Sequence, residues 1–328
     1  MKPARTTLIG ASVLAAALGL TACSDDSGSD AADGGEESYQ IGITQIVEHP
    51  SLDAAREGFK QALADAGLEV SYDEQNAQGD QSTATSIATT FAGDDLDMIL
   101  AIATPTAQAS VQAITDVPIL ITAVTDPVEA GLVDSWEAPG GNVTGTSDIN
   151  PVDEQLSLLG EFAPDAQSVG IVYSAGEVNS QIQVDLAREA ADELGLEIQE
   201  ATVTNSSEVQ QAAESLDVDA YYVPTDNTVV SALEALLQVA ESQSLPVIAA
   251  DGASVERGAL GTYGLDYERL GYQTGEMAIQ VLTEGADPAE MPVETLSELS
   301  LIVNSGTAER LGVELPAELV ESADTVYE

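Results

Sequence analysis

The feature that most narrows the fold of this chain is a pattern written twice. Short β-rich runs alternate with longer runs of helical period, and the landmarks of the first half recur in the second. Ile41-Gly42-Ile43, a helical run and Ala66-Gly67-Leu68-Glu69-Val70 answer to Val169-Gly170-Ile171, a helical run and Leu194-Gly195-Leu196-Glu197-Ile198. Leu96-Asp97-Met98 answers to Val218-Asp219-Ala220, and Val117-Pro118-Ile119 to Leu245-Pro246-Val247. Gly42 and Gly170, Asp97 and Asp219, and Pro118 and Pro246 lie 128, 122 and 128 positions apart. Alternation of this kind specifies a mostly parallel sheet with helices on both faces, and its duplication specifies two such sheets. The expected fold class is therefore α/β, with two doubly wound parallel-sheet lobes joined by a hinge. Lobe 1 is expected over 39–148, with about 265–290 returning to it, and lobe 2 over 149–264, completed by about 291–328. Within lobe 1 the expected strands are Gln40 to Val47, Leu68 to Tyr72, Met98 to Ala103 and Pro118 to Val124. Helices are expected at Leu52 to Ala66, Gln81 to Phe91 and Ala107 to Ile114.

The segment ahead of the lobes reads as an address. Lys2 and Arg5 precede an apolar run from Leu8 to Leu20, too short to span a bilayer as a mature helix, so 1–22 reads as a signal peptide. Leu20-Thr21-Ala22-Cys23 resembles a bacterial lipobox, in which the cysteine is lipidated and becomes the new N-terminus. Cys23 is the only cysteine, so no internal disulfide and no thiolate metal cluster is available. Residues 23–38 are mostly Ser, Gly, Asp and Glu and cannot bury enough apolar surface to fold, which makes them an acidic, disordered tether. The expected location is the outer face of the cytoplasmic membrane, held by the lipid on Cys23.

Charge then excludes several functions. The chain carries 57 Asp and Glu against 8 Lys and Arg, for a formal net charge of -49, while 44% of its residues are hydrophobic. The hydrophobic content is that of an ordinary folded core, so the acids belong on the surface. Such a surface repels phosphate backbones, so nucleic acid is not expected as a partner. Neither Lys2 nor Lys60 lies in a glycine-rich phosphate loop, and the single His49 leaves no His-rich metal site, so no metal and no cofactor is expected.

In doubly wound sheets ligands sit outside the carboxyl ends of the strands. The loops there supply Thr44, Gln45, Glu48 and His49; Thr104 and Thr106; Thr125 and Asp126; Ser174, Glu177, Asn179 and Ser180; Thr225, Asp226 and Asn227; and Asp251. Hydroxyls, amides and carboxylates are all represented, whereas Arg56, Lys60, Arg188, Arg257, Arg269 and Arg310 lie on helices or in late segments. Buried acids without cations call for a ligand that brings positive charge. The helix opened by Thr104-Pro105-Thr106, and that near Ser180, offer free N–H groups to a carboxylate. Ammonium at Asp226 or Asp251 and carboxylate at a helix N-terminus together describe an α-amino acid. Each residue also has a plainer reading: Thr104, Ser180 and Asp226 as helix N-caps, Thr125-Asp126-Pro127 as a turn, His49 as a loop imidazole. A hydrolase built on Glu48, His49 or Glu177 is the rival from another class, but no Gly-x-Ser-x-Gly elbow and few aromatics accompany those residues.

Taken together, Ile41-Gly42-Ile43-Thr44-Gln45 with Glu48-His49-Pro50, Ala103-Thr104-Pro105-Thr106-Ala107-Gln108 and Thr122-Ala123-Val124-Thr125-Asp126-Pro127 resemble the tryptophan-type substrate-binding lipoproteins of ABC transporters. Gly141-Asn142-Val143-Thr144-Gly145, Tyr173-Ser174 with Glu177-Asn179-Ser180, and Pro224-Thr225-Asp226-Asn227 share the resemblance. It implies a type I periplasmic-binding-protein fold and a non-enzymatic binder that closes by its hinge on an amino acid, aromatic in members of known ligand. A permease and an ATPase would be its partners in import. By the same resemblance, Thr104, Thr106 and Gln108 with Asn179 and Ser180 would hold the ligand carboxylate. Asp226, Asn227 and Asp251 would take the amino group, and Gln45, Glu48 and His49 would line the side-chain end. A nucleoside or other small polar solute, or a sensor that docks a membrane kinase, are the alternatives within the same fold.

Overall fold

The computed structural model describes residues 38–328; the expected signal peptide, Cys23 and nearly all of the expected tether lie outside them. In chain order the strands are β1 (Ser38–Gln45), β2 (Glu69–Asn76), β3 (Met98–Ile102), β4 (Ile119–Val124), β5 (Val143–Ser147), β6 (Ser168–Ser174) and β7 (Glu197–Val203). They continue with β8 (Ala220–Val223), β9 (Val247–Ala249), β10 (Gly261–Gly264), β11 (Glu294–Thr295), β12 (Ser300–Asn304) and β13 (Thr325–Tyr327). Ser38, expected to end the tether, is already in β1 and pairs with Glu69.

Two sheets result. The first has the order β2-β1-β3-β4-β5-β11, with every pairing parallel. The second runs β7-β6-β8-β9-β10-β12-β13 and is parallel except between β10 and β12. The central strands β3, β4 and β8 are buried at every residue, as they must be where helices cover both faces of a parallel sheet. This is the two-lobe, mostly parallel α/β architecture that the repeat specifies. The repeat extends to side-chain detail. Asp97 accepts a hydrogen bond from the Gln40 N–H at the start of β1 (2.7 Å), and Asp219 accepts one from the Ser168 N–H at the start of β6 (3.0 Å).

The chain crosses between the lobes three times: after β5, after β10, and between Thr295 and Ser300. The third crossing falls later than 290, because β11 adds a last parallel strand beside β5 before the chain leaves lobe 1. On its return to lobe 1 the helix Tyr267–Ile279 packs along the helix Pro50–Asp65. Glycines make that approach possible. A Cβ on Gly271 would sit 1.8 Å from the Ala55 carbonyl oxygen, and one on Gly58 1.9 Å from that of Glu268. Apolar cores underlie both lobes, with Ile41, Phe59, Phe91, Leu100 and Ile121 in the first and Val172, Tyr221, Tyr222, Leu236 and Ile248 in the second.

Candidate functional site

The carboxyl ends of both sheets face one narrow cavity between the lobes. Lobe 1 contributes His49, Ser51 and Leu52 from the start of the helix after β1, Ala123 and Thr125 from the end of β4, and Asp148 from the crossing after β5. Lobe 2 contributes Asn179, then Thr225, Asp226, Asn227 and Val230 after β8, and Asp251 after β9. Tyr267, just beyond the second crossing, completes the lining. Ala123 is held at φ 54°, where β4 and β5 slip register between Ile121 and Val124. Strained non-glycine backbone of this kind gathers at functional sites, and here it turns the end of β4 into the cavity wall.

Of the residues expected at the site, His49, Thr125, Asn179, Thr225, Asp226, Asn227 and Asp251 line the cavity. The others support it or stand apart. Gln45 donates to the Val47 carbonyl and to Asp53 (both 2.8 Å), which fixes the turn out of β1. Glu48 is exposed. Thr106 turns its hydroxyl back to the Ile102 carbonyl (2.6 Å), and Gln108 braces the Ala130 carbonyl (3.0 Å). Thr104 is buried at the start of the helix Thr104–Ala113, with no hydrogen-bond partner for its hydroxyl among the described residues. Asp126 accepts from the Val128 and Glu129 N–H groups and so closes a turn. Ser180 is buried behind the lining, where its hydroxyl oxygen accepts from Asn179 Nδ2 (3.3 Å).

Glu177 also stands behind the lining, and it organises lobe 2. One carboxylate oxygen accepts from the Asn227 N–H and Nδ2 and from Asn179 Nδ2, and the other from the Thr228 N–H and hydroxyl, at 2.6–3.2 Å. It thereby carries the free N–H groups of the short helix Asn227–Val230 and fixes both asparagines. Glu177→Gln places an NH₂ among these donors. The expected result is a loss of about 1–3 kcal/mol in stability, measured as a lower urea midpoint at unchanged slope.

The cavity is lined with carboxylates. Asp226 accepts from the Ser174 N–H (2.5 Å) and caps its helix through the Val229 N–H (2.8 Å), so the N-cap and the cavity position coexist in one residue. Burial, followed by the charge of Glu177, pushes its carboxyl up to about 7. Asp251 accepts from the Ser254 N–H and hydroxyl and, across the cleft, from the Ser51 hydroxyl (2.8 Å). Among the described residues the Asp148 carboxylate accepts from two hydroxyls, Tyr267 at 2.7 Å and Thr125 at 3.3 Å, and burial pushes it up to about 6. Among the described residues no lysine or arginine forms a salt bridge with Glu177, Asp148, Asp226 or Asp251; the nearby Arg257 pairs with Glu234 instead. Burial also holds the His49 imidazole below its ordinary range, against the pull of Asp251 and Asp53. Among the described residues, Asn179 Oδ1 and His49 Nδ1 are buried without a hydrogen-bond partner.

Asp148 and Tyr267 were not among the expected site residues. They come from the crossings between lobes that follow β5 and β10, two strands that were not among those expected. The available signal was position: Asp148 directly follows the strand Val143–Ser147, at the expected lobe boundary.

Comparison with known proteins bears on the whole described chain. A curated relative, a tyrosine-binding protein of Clostridioides difficile, is 46% identical over 319 residues, covering 94% of this chain and 92% of that one. A Streptococcus pneumoniae ABC domain solved in complex with L-Trp is 35% identical and superimposes with a TM-score of 0.86 over 88% of this chain and all of the other. A substrate-binding protein from Clostridium difficile, solved ligand-free and open, is 47% identical yet reaches a TM-score of only 0.67, over 88% of this chain and 99% of that one. Sequence identity alone orders the last two the other way. The family model for ABC transporter substrate-binding proteins matches residues 40–327, and with a relative of this identity and coverage the chain belongs to that family.

Proposed function

We propose that this protein binds an aromatic α-amino acid between its lobes, closes on it by the hinge, and delivers it to an ABC permease and its ATPase from a lipid anchor on Cys23. The observation that carries the ligand class is the set of buried acceptors with no protein cation. Asp148, Asp226 and the unpartnered Asn179 Oδ1 offer an ammonium group three acceptors for its three protons. Leu52 and Val230 offer apolar surface at the same cavity. The tyrosine-binding relative and the Trp-bound neighbour support an aromatic side chain. The unpaired hydroxyl of Thr104, at a helix N-terminus, keeps that loop the candidate for the ligand carboxylate.

Two measurements test this reading. Mass spectrometry of small molecules released by denaturing the purified protein is expected to find an aromatic amino acid, and calorimetry is expected to give one site per chain. A retained sugar, or no heat with tyrosine, tryptophan or phenylalanine, rejects the ligand class. The anchor is tested separately: Cys23→Ser is expected to release the protein from membranes into the medium.

The site also predicts a pH dependence. An ammonium ion favours the ionised carboxylates, so affinity is full above the higher of their two values, about 7, and falls as pH drops through about 7 for Asp226 and about 6 for Asp148. Each group contributes up to about tenfold per pH unit until its ligand-bound value is reached. Binding near pH 6.5 is expected to release protons, seen as a dependence of calorimetric heat on buffer ionisation enthalpy. Without ligand the sign reverses. Carboxyls raised above their unfolded values stabilise the fold below the unfolded value, and that stability is lost as pH rises toward about 7. The ligand-free melting temperature should therefore climb on mild acidification while affinity declines.

A further inference from the structure

We infer that Ser51 and Asp251 form a closure latch, a hydrogen bond between the lobes that stabilises the closed form by itself and touches no ligand atom. The inference rests on the hinge-closing part of the proposed function and is independent of which ligand the cavity takes.

The two residues belong to opposite lobes. Ser51 is the second residue of the helix Pro50–Asp65 in lobe 1, and Asp251 caps the helix Gly252–Glu256 in lobe 2. The Ser51 hydroxyl donates to Asp251 Oδ1 at 2.8 Å, and the residues are only 5% and 3% exposed. Both line the cavity between the lobes, so both meet water once the lobes part.

Closure takes the Asp251 carboxylate out of water, and a buried carboxylate needs donors in place of the water it loses. Its own helix supplies two. Oδ1 accepts from the Ser254 N–H (3.0 Å) and Oδ2 from the Ser254 hydroxyl (2.6 Å). Both are local to one turn of chain, so opening does not break them. The third donor, Ser51, is 200 residues away in sequence and reaches Asp251 only when the lobes meet. A further contact across the cleft, from Gln183 Nε2 to the Thr125 hydroxyl, stands at 3.5 Å and is correspondingly weaker.

The energetic consequence falls on one side of the hinge equilibrium. Without the Ser51 hydroxyl, one lone pair of Asp251 is hydrated in the open form and buried unmet in the closed form. The bond therefore favours closing, with or without ligand. Its loss lowers affinity for every ligand by one common factor, because the closed, binding-competent fraction falls.

The test is Ser51→Ala, examined in two ways. Calorimetry with L-tyrosine and L-tryptophan reads affinity. Electron spin resonance reads the distance between labels at Thr89→Cys and Gln211→Cys, one exposed helix position in each lobe, in a Cys23→Ser background that removes the natural thiol. Expected are about ten- to hundredfold weaker binding of both amino acids by the same factor, and ligand-free distances shifted toward the open form. Native affinity and native distances in Ser51→Ala overturn the latch. Weaker binding with ligand-free distances unchanged places the hydroxyl on the ligand and overturns it as well. If neither amino acid binds the native protein, the proposed ligand class is rejected and the ligand-free distances decide the latch alone: a shift toward the open form in Ser51→Ala supports it, and no shift overturns it.

Discussion

Replacing Gly271 by alanine is expected to cost about 3 kcal/mol or more of stability and to lower the melting temperature by roughly 6–12 °C. The added Cβ would lie 1.8 Å from the Ala55 carbonyl oxygen, 2.5 Å from its carbon and 2.7 Å from the Ala55 Cα. Those are backbone atoms in the middle of the helix Pro50–Asp65, so no rotamer change relieves the clash and the two helices must part. A Cβ on Gly275, one turn on, would likewise lie 2.5 Å from the Ala62 Cβ and 2.8 Å from the Phe59 carbonyl oxygen, so the close approach of the two helices continues along that turn. The consequence reaches the ligand, because the same helix begins with Tyr267, whose hydroxyl holds Asp148. Thermal melting with and without ligand checks both parts. A melting temperature within a degree of the native value would show that the helices have more freedom than their backbones allow.

Asp148→Asn is expected to weaken amino-acid binding by about two to three orders of magnitude, or about 3–4 kcal/mol, while leaving the ligand-free protein as stable as before or more so. The opposite signs have one cause. A carboxyl moved by burial from its ordinary 3.8 to about 6 is ionised at neutral pH at a cost of roughly 3 kcal/mol to the ligand-free fold. The neutral amide removes that cost, and its two neighbours, the hydroxyls of Tyr267 and Thr125, can rotate to donate or accept. The cationic ligand loses its counter-charge. Asp226 is the poorer choice for this experiment, since both its oxygens accept backbone N–H groups and an amide would set donor against donor. Calorimetry with L-tyrosine or L-tryptophan, alongside a melt of the ligand-free variant, reads the two effects separately. Undiminished affinity would remove Asp148 from the ammonium site.

Much of the architecture is legible in the residues alone. The paired landmarks around Gly42 and Gly170, Asp97 and Asp219, and Pro118 and Pro246 mark equivalent places in two sheets because hydrophobic period and turn chemistry act over a few residues. For the same reason the loops holding His49, Asn179, Asp226, Asn227 and Asp251 can be placed at strand ends before any coordinate is known. Local rules also explain the ambiguity that remained: Asp, Asn, Ser and Thr at strand-to-helix junctions serve equally as caps and as ligand contacts. Only the direction of each side chain separates Asp226, which caps a helix and still lines the cavity, from Asp126, whose carboxylate closes a turn.

What the sequence determined by itself is therefore the set of local elements, their duplication, and a ligand side without cations. What the tertiary structure decided is which acceptors converge. Asp148 and Tyr267 are 119 residues apart, and Ser51 and Asp251 200, and each pair is joined by a hydrogen bond that exists only because the chain crosses between lobes three times and the lobes close. Contacts of this kind depend on lobe packing and hinge angle, properties of the whole chain, whereas helices, strands and turns depend on their neighbours alone.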